Sequence, residues 1–295
     1  MNAAGNDREI LQEGRPVDEW RIGFILIRSG RLKKEDVVKI IQLQRQNGMR
    51  FGDAAIELGV LAEGDIRFAL ARQFDYPYVT HGESKISKDV VAAYQPDSAA
   101  AESLRALRSQ LMVRWFDSDQ GLHKALAIAG PDRGVGRSWL AANLAVTFSQ
   151  LGKNTVLVDG DLRNSIQHKF FGLDNREGLS EILCGRTLVS EALRRNQILP
   201  NLALITAGAT PPNPQEVIAR DGFRLLLESL RATADVIIVD TPADSQATDG
   251  QIIIKHTGGA MIMARRHLSR VRSLNSYISA LRATGAALPV SVLVD

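Results

Sequence analysis

Residues 125–150 read ALAIAGPDRGVGRSWLAANLAVTFSQ, and they carry the strongest signal for the architecture of most of the chain. A short apolar run is followed by a loop with glycines at positions 134 and 136, and then by a longer, largely apolar stretch. Length and composition predict a buried strand, a turn and a helix, in that order. The glycines let consecutive backbone N–H groups turn inward, and the helix dipole adds positive potential there. The stretch therefore predicts a phosphate-binding loop in which Ser138 offers a hydroxyl to magnesium.

The loop departs from the usual phosphate-loop pattern at two positions. Pro131 stands at the first glycine position, and Arg137 stands where the phosphate-binding lysine belongs. Arginine keeps the positive charge and can form two parallel bonds to phosphate, but it is bulkier than lysine and not equivalent to it. Taken alone, the loop is also compatible with an ordinary glycine turn.

Two further strand ends favour a nucleotide site. TVLVDGDLR (155–163) places Asp159 and Asp161 beyond one strand, and ADVIIVDTP (234–242) places Asp240 beyond another. A magnesium–nucleotide complex needs carboxylates at this edge of a parallel sheet, although each aspartate alone could instead cap a turn. The sequence therefore predicts a magnesium–nucleoside triphosphate site. Its expected nucleotide contacts are Asp132, Arg133, Gly134, Val135, Gly136, Arg137, Ser138 and Trp139, and its expected magnesium ligands are Ser138, Asp161 and Asp240.

The apolar runs beyond the loop indicate the fold class. ALAIA, TVLV, LALI, VIIV, AMIMA and PVSVLV are bounded by turns and separated by helical stretches such as residues 139–151 and 214–230. Short strands that alternate with helices are typical of a doubly wound, mostly parallel α/β sheet. We expect a P-loop NTPase domain over residues 97–295.

The N-terminal part contains an internal repeat with an offset of 29 residues. In RIGFILIRSGRLKKEDVVKIIQLQ (21–44) and RFGDAAIELGVLAEGDIRFALARQ (50–73), the apolar positions and four polar or glycine positions recur. Each copy predicts two helices around a glycine break, because its later part has apolar residues at helical spacing. An Arg-x-Gly pair suits a phosphate or a guanine edge, whereas a helical docking module with Arg and Gln on its surface is the alternative. The recurring residues are Arg21, Gly23, Gly30, Gln44, Arg50, Gly52, Gly59 and Gln73.

Composition limits the remaining possibilities. We expect a flexible tail over residues 1–18, the helical tandem-repeat domain over 19–80 and a polar linker with one short helical turn over 81–96. The single cysteine, Cys184, excludes a disulfide framework and a multi-cysteine metal site. A net charge of +3 gives no bulk electrostatic case for nucleic acid. The sequence has no long apolar run and no secretory signal, so we expect a cytoplasmic location.

The order of phosphate loop, D-x-D-x-R and hydrophobic-D-T-P resembles the bacterial tyrosine kinases of the exopolysaccharide chain-length machinery, which share their fold with the MinD/ParA partitioning ATPases. Glu102, Arg105 and Arg108 match that family's E-x-x-R-x-x-R oligomerisation motif, although an exposed i, i+3 ion pair is the simpler interpretation. Residues 178–186 and the proline-rich segment 206–214 also match. Partitioning ATPases carry a signature lysine where this chain has Asp132. The chain also resembles the stand-alone, EpsG-type kinases, in which an arginine at the lysine position also occurs.

This resemblance implies transfer of the ATP γ-phosphate to a tyrosine hydroxyl. Arg137 would neutralise developing charge, Ser138 and Asp240 would hold Mg²⁺, and Asp159 or Asp161 would orient or deprotonate the acceptor. It also implies self-association and a membrane-anchored chain-length determinant (co-polymerase) that activates the kinase, or is its substrate, and recruits it to the inner face of the plasma membrane. An ATP-dependent oligomerisation switch without kinase activity is the alternative function. The family's usual C-terminal tyrosine cluster is missing, since the tyrosines here are Tyr76, Tyr78, Tyr94 and Tyr277.

The repeat resembles the tandem cyclic-di-GMP-binding motif at the N-terminus of type II secretion and pilus ATPases. Every polar anchor of that motif is present, with Arg31 and Ala55 as departures at aliphatic positions. The resemblance implies cyclic-di-GMP as an effector, and a purely structural role is the alternative.

Overall fold

The computed structural model describes residues 22–74, 77, 79, 84–118, 123–243 and 248–295. The chain divides into two compact units, Met1–Thr80 and His81–Asp295. The predicted tail over residues 1–18 lies outside the described residues. Among the described residues, no helix is both long enough and apolar enough to span a membrane.

The first unit is built from two similar helix pairs. Its helices are α1 (Ile22–Arg28), α2 (Lys34–Asn47), α3 (Phe51–Glu57) and α4 (Glu63–Gln73). Gly30 and Gly59 turn the chain between the helices of each pair with φ of 73° and 66°, a conformation that favours glycine. The buried core follows the repeat offset, because Leu26, Leu32 and Ile40 correspond to Ala55, Leu61 and Ala69. The predicted pair of helix–turn–helix units is confirmed.

The second unit is an α/β sheet with helices on both faces. Its strands are β1 (Ala125–Ala129), β2 (Thr155–Asp159), β3 (Arg194–Arg195), β4 (Leu202–Ile205), β5 (Val236–Asp240), β6 (Ala260–Arg265) and β7 (Ser291–Val294). Their order is β3-β4-β2-β5-β1-β6-β7, and β3 runs antiparallel to β4 while the other pairs are parallel. The inner strands are buried along their whole length, as expected for a sheet covered on both faces. The predicted doubly wound, mostly parallel sheet is confirmed.

The helices of this unit lie where the sequence predicts helical stretches, except that one predicted helix is interrupted. They are α5 (Val91–Tyr94), α6 (Ala99–Leu111), α7 (Arg137–Gln150), α8 (Gln167–Phe171), α9 (Leu179–Leu183), α10 (Val189–Ala192), α11 (Pro214–Ile218), α12 (Asp221–Arg231), α13 (Asp249–Thr257) and α14 (Val271–Ala283). A π-helical turn, Met112–Phe116, extends α6. The helix predicted over residues 214–230 is two helices, because the chain leaves helical geometry at Arg220.

The segment predicted as a linker differs from that expectation. Its described part, residues 84–96, packs against α7, and Ile86, Val90 and Tyr94 are buried. The Asn143 side chain accepts a hydrogen bond from the Ala92 N–H at 2.9 Å and donates one to the Asp89 carbonyl oxygen at 3.2 Å. The buried Asn143 side chain thus fixes the segment to the helix that begins at the phosphate loop.

We expect Asn143→Ala to lower the free energy of unfolding by about 1–3 kcal/mol, since it leaves the buried Ala92 N–H without its partner. Urea unfolding of the full chain measures this. The control is Gln110→Ala on the exposed surface of α6, which should change stability by less than about 0.5 kcal/mol. Equal effects of the two substitutions would show that Asn143 does not hold the segment.

Candidate active site

The loop between β1 and α7 is shaped to surround an anion. Gly134 and Gly136 have φ of 78° and 94°, and Gly136 forms the N-cap of α7. A Cβ atom built on Gly134 would meet nothing within 4 Å, so the space at this point is open. The backbone N–H groups of the loop and the N-terminus of the 14-residue helix α7 create positive potential there. The loop therefore has the shape and the electrostatics of a phosphate site.

The Arg137 side chain turns back into the loop. Its guanidinium donates hydrogen bonds to the carbonyl oxygens of Asp132 at 2.5 Å, Thr241 at 3.1 Å and Gly130 at 3.3 Å, and the residue is 8% exposed. It thus ties the two ends of the loop to each other and to the end of β5. The sequence pattern predicts that Arg137 faces the phosphates, whereas in this structure three backbone carbonyls engage it because its planar fork reaches them together.

Asp240, Ser138 and Gln167 form the polar floor beside the loop. The register of β2 and β5 places Asp159 directly beside Asp240. Gln167 donates from Nε2 to Asp240 Oδ2 at 2.9 Å and to the Ser138 carbonyl oxygen at 3.0 Å. A hydrogen bond from the Ser138 side chain lowers the pKa of Asp240. Asp240 Oδ1 and Gln167 Oε1 are buried without a hydrogen-bond partner.

Asp159 and Asp161 organise the loop that follows β2. The Asp159 carboxylate accepts hydrogen bonds from the backbone N–H groups of Asp161, Ile166 and Gln167. Asp161 Oδ1 accepts from the N–H groups of Arg163 and Asn164. Asp159 is fully buried, whereas Asp161 keeps 7% exposure. Because three backbone N–H groups already bind the Asp159 carboxylate, Asp161 is the better placed of the two to contact a phosphate-accepting hydroxyl.

Burial dominates the electrostatics of the paired aspartates. Desolvation, followed by the charge of Asp240, holds the pKa of Asp159 well above its ordinary value. Desolvation also raises the pKa of Asp240 to about 6, although hydrogen bonds from Gln167 and Ser138 and the nearby charge of Arg137 oppose it. A divalent cation beside the pair would stabilise the ionised forms and lower both pKa values.

The residues present fit Mg²⁺ held together with nucleotide phosphates. The unpartnered Asp240 Oδ1 and the Ser138 hydroxyl are hard oxygen donors beside the loop. No group of three His, Cys, Asp or Glu side chains that could hold a metal by itself occurs in the described part of the chain. Magnesium in nucleotide sites needs only one or two protein carboxylates, because phosphates and waters complete its octahedron. Asp161 lies beyond Asp159 in the same loop, and we retain it as a candidate ligand.

The other predicted nucleotide contacts lie around the loop in different roles. Val135 is buried beneath it, and Trp139 lies in the first turn of α7. Arg133 is exposed and donates to Asn164 Oδ1 at 3.1 Å. Asp132 contributes its carbonyl to Arg137, and its Oδ2 is buried without a hydrogen-bond partner.

Three residues outside the predicted set complete this site, and one of them, Thr241, lies within the hydrophobic-D-T-P motif. Gln167 is fully buried, and no motif marks it, since it lies 73 residues from Asp240 in the chain. Asp249 at the start of α13 holds Arg163 of the D-x-D-x-R motif, with Nε 2.8 Å from Oδ2. The Thr241 hydroxyl donates to the Ile128 carbonyl oxygen at 2.8 Å and joins the ends of β5 and β1. The buried member of this pair is the Asp249 carboxylate, which needs a partner for its charge, and no spacing in the sequence marks the two residues as a pair.

The repeated glycines of the first unit have structural explanations. A Cβ atom on Gly23 would lie 3.4 Å from the Phe51 ring, and one on Gly52 would lie 3.1 Å from Ile66 Cγ2, so both allow close helix packing. Gly30 and Gly59 adopt the positive φ that the turns between the helices require. Arg50 is exposed at the N-cap of α3, Gln44 and Gln73 are half-buried, and Gln73 Oε1 is buried without a hydrogen-bond partner. Arg21 lies outside the described residues.

The predicted oligomerisation residues make contacts within the chain. Arg105 Nε lies 3.0 Å from Glu102 Oε2, which is the i, i+3 ion pair. Arg108 Nη1 donates to the Thr147 carbonyl oxygen at 2.9 Å and links α6 to the last turns of α7. Arg108 therefore has a structural role of its own, whereas the exposed Glu102 and half-exposed Arg105 keep surface available for a second copy.

The raised pKa of Asp240 predicts a specific pH dependence of stability. The folded state binds this proton more tightly than the unfolded state, so the free energy of unfolding falls as pH rises from about 4 to about 6 and this loss is complete above that range. Asp240→Asn should remove the part of the fall that Asp240 contributes, so that its stability relative to the wild type rises by about 1–3 kcal/mol between pH 4 and pH 7. Urea unfolding at successive pH values measures the difference, with exposed Asp117→Asn as control. A difference between wild type and Asp240→Asn that does not vary with pH would contradict the raised pKa.

No protein-family model matches this chain. It is 32% identical over 206 residues to the tyrosine-protein kinase ptk of Acinetobacter johnsonii, and the match spans 70% of this chain but 28% of that relative. It is 37% identical over 158 residues to CapB of Staphylococcus aureus, also described as a tyrosine-protein kinase, which covers 54% of this chain and 68% of CapB.

Solved structures agree with these relatives. The chimerical protein CapA2B2 superposes with a TM-score of 0.65 and 30% identity over 76% of this chain and 96% of its own. The kinase domain of the Escherichia coli tyrosine kinase ETK gives 0.65 and 28% over 70% and 79%. MinD of Pyrococcus horikoshii, with 22% identity over 58% of this chain and a TM-score of 0.51, shares the fold. With these similarities and its phosphate loop and paired aspartates, the chain belongs to the family of bacterial tyrosine-protein kinases.

Proposed function

We propose that this chain is an ATP-dependent protein-tyrosine kinase of exopolysaccharide or capsule production, of the EpsG type. The observation that carries the proposal is that the phosphate loop meets the cluster of Ser138 with the buried Asp240 and Gln167, in a chain whose relatives are named tyrosine kinases. Its place in polysaccharide production, its partner and its effector rest on the family resemblances in the sequence.

The geometry supports in-line phosphoryl transfer. Backbone N–H groups of Gly134–Ser138 would hold the β- and γ-phosphates, and Ser138 and Asp240 would hold Mg²⁺. When bound, Mg²⁺ neutralises developing charge on the phosphates. The bond from the tyrosine oxygen to the γ-phosphorus forms as the bond to the β–γ bridging oxygen breaks. The phenolic proton passes to Asp161 directly or through water, and ADP leaves with the charge of the broken bond.

Buried tyrosines favour an acceptor on another polypeptide. Tyr94 is 7% exposed and donates from its hydroxyl to the Ile86 carbonyl oxygen, and Tyr277 is 3% exposed. Tyr76 and Tyr78 lie outside the described residues. The proposed partner, as substrate or activator, is the membrane-anchored chain-length determinant, which would recruit the kinase to the inner face of the plasma membrane. The same observation favours a second candidate function, an ATP-dependent oligomerisation switch that phosphorylates nothing.

We expect the purified protein with Mg-ATP to phosphorylate tyrosine in the cytoplasmic tail of the co-encoded membrane partner. Asp240→Asn and Ser138→Ala should reduce the phosphotyrosine signal on the order of 100-fold, since both remove oxygen donors for the metal. Asp117→Asn serves as the control. If the wild type gives no phosphotyrosine signal but forms nucleotide-dependent oligomers that Arg105→Ala abolishes, the kinase function is contradicted and the oligomerisation switch is supported.

The first unit is proposed to bind cyclic-di-GMP as an effector. The exposed Arg50 and the half-buried Gln44 and Gln73 support this, because packing explains the glycines but not these polar residues. A helical docking module remains the alternative.

Calorimetry with cyclic-di-GMP on the full chain tests the effector. Arg50→Ala and Arg21→Ala should each weaken binding about tenfold, because each removes a charge-assisted contact. Arg45→Ala, on the exposed surface of α2, should bind like the wild type. Equal binding by the double variant of Arg21 and Arg50 would overturn this assignment and leave the docking role.

A further inference from the structure

The end of β6 overhangs the phosphate loop. The register pairs Ala129, the last residue of β1, with Ile262, so β6 continues three residues beyond β1 to Arg265. At about 3.3 Å per residue this extension spans roughly 10 Å. The exposed Arg265 side chain extends over the loop, and its Nη1 lies 3.4 Å from the Gly134 carbonyl oxygen. A guanidinium is thereby held at the outer side of the loop, in a long and weak hydrogen bond.

A strained turn holds the backbone of Arg265. Its N–H donates to Ser269 Oγ at 3.1 Å, and its carbonyl oxygen accepts from the N–H groups of Leu268 and Ser269. Within this turn His267 has φ of 62°, and no other non-glycine residue among those described has positive φ. Such a conformation costs of the order of 1 kcal/mol and persists only where the surroundings enforce it. The turn therefore fixes the position from which the guanidinium reaches the loop.

The cations of the loop itself are engaged elsewhere. Three carbonyl oxygens surround the Arg137 guanidinium inside the protein, and Arg133 donates to Asn164. The phosphate groups of a nucleotide bound in the loop would carry several negative charges, and hydrogen bonds from ionised donors stabilise such charges most strongly. The long contact of Arg265 with a neutral carbonyl can be exchanged for a phosphate oxygen at little cost.

We propose that Arg265 binds the phosphates of the nucleotide from the open side of the loop, in the outward-facing role that the pattern assigns to Arg137. The inference rests on the proposed nucleotide site and adds a residue from outside its motifs. The planar fork of Arg265 can form two parallel bonds to phosphate oxygens, which a lysine at the same place cannot.

Binding of MgADP to the full chain, measured by calorimetry at several salt concentrations, tests the proposal. Arg265→Ala should weaken binding about tenfold and lessen its dependence on salt, because one charge-assisted contact is lost. Arg265→Lys should recover part of the affinity. The matched control is Arg266→Ala, since Arg266 is exposed and its Nε lies 3.2 Å from Asp295 Oδ1. It should bind like the wild type, and urea unfolding checks that each variant is folded.

The outcomes separate this inference from the function on which it rests. If the wild type and Arg265→Ala bind MgADP equally, Arg265 has no phosphate role and the nucleotide site still stands. Equal losses in the Arg265 and Arg266 variants would mean a general effect of surface charge and would also overturn the inference. If the folded wild type binds no MgADP, the proposed function itself fails.

Discussion

Two carboxyl groups buried side by side impose the main constraint on this structure. The register of β2 and β5 pairs Asp159 with Asp240, and neither is exposed to solvent. Two neighbouring charges in such a place are costly, so the protein must supply hydrogen bonds, keep a proton or accept a cation. Three backbone N–H groups after β2 turn toward Asp159, while Gln167 at the start of α8 and Ser138 at the start of α7 turn toward Asp240. The loops at this edge of the sheet are arranged around the need to stabilise the pair.

The parts of the fold that the sequence predicts are those with strong local signals. All six apolar runs form strands, because each is a short apolar stretch between turns. The strand Arg194–Arg195 was missed, since two arginines carry no apolar pattern and the pairing with β4 alone creates it. Residues 84–96 are polar enough to resemble a linker, and the buried amides of Asn143 and Gln150, far along the chain, show why they are fixed.

The site could be predicted as a set of residues but not as a set of orientations. Spacing identifies the loop and the three aspartates, because these motifs lie within a few residues of strand ends. Spacing does not show that backbone N–H groups occupy the Asp159 carboxylate or that Gln167 joins two elements. It also does not show that Arg265 reaches the loop from β6. In the first unit the strict recurrence of glycines indicates helix contacts and turns, which leaves the polar residues as the part of the repeat that packing does not explain.

The buried guanidinium of Arg137 changes the meaning of its position in the motif. An arginine in place of the usual lysine is easily interpreted as damage to a nucleotide site. Here its three bonds to carbonyl oxygens close the loop on itself and join it to β5. A lysine has a single ammonium group and cannot reproduce that planar set of donors. Substitution of Arg137 by the consensus lysine would therefore weaken the bonds that close the loop. In this chain the residue at position 137 is therefore part of the loop's own architecture, whatever it contributes to binding phosphate.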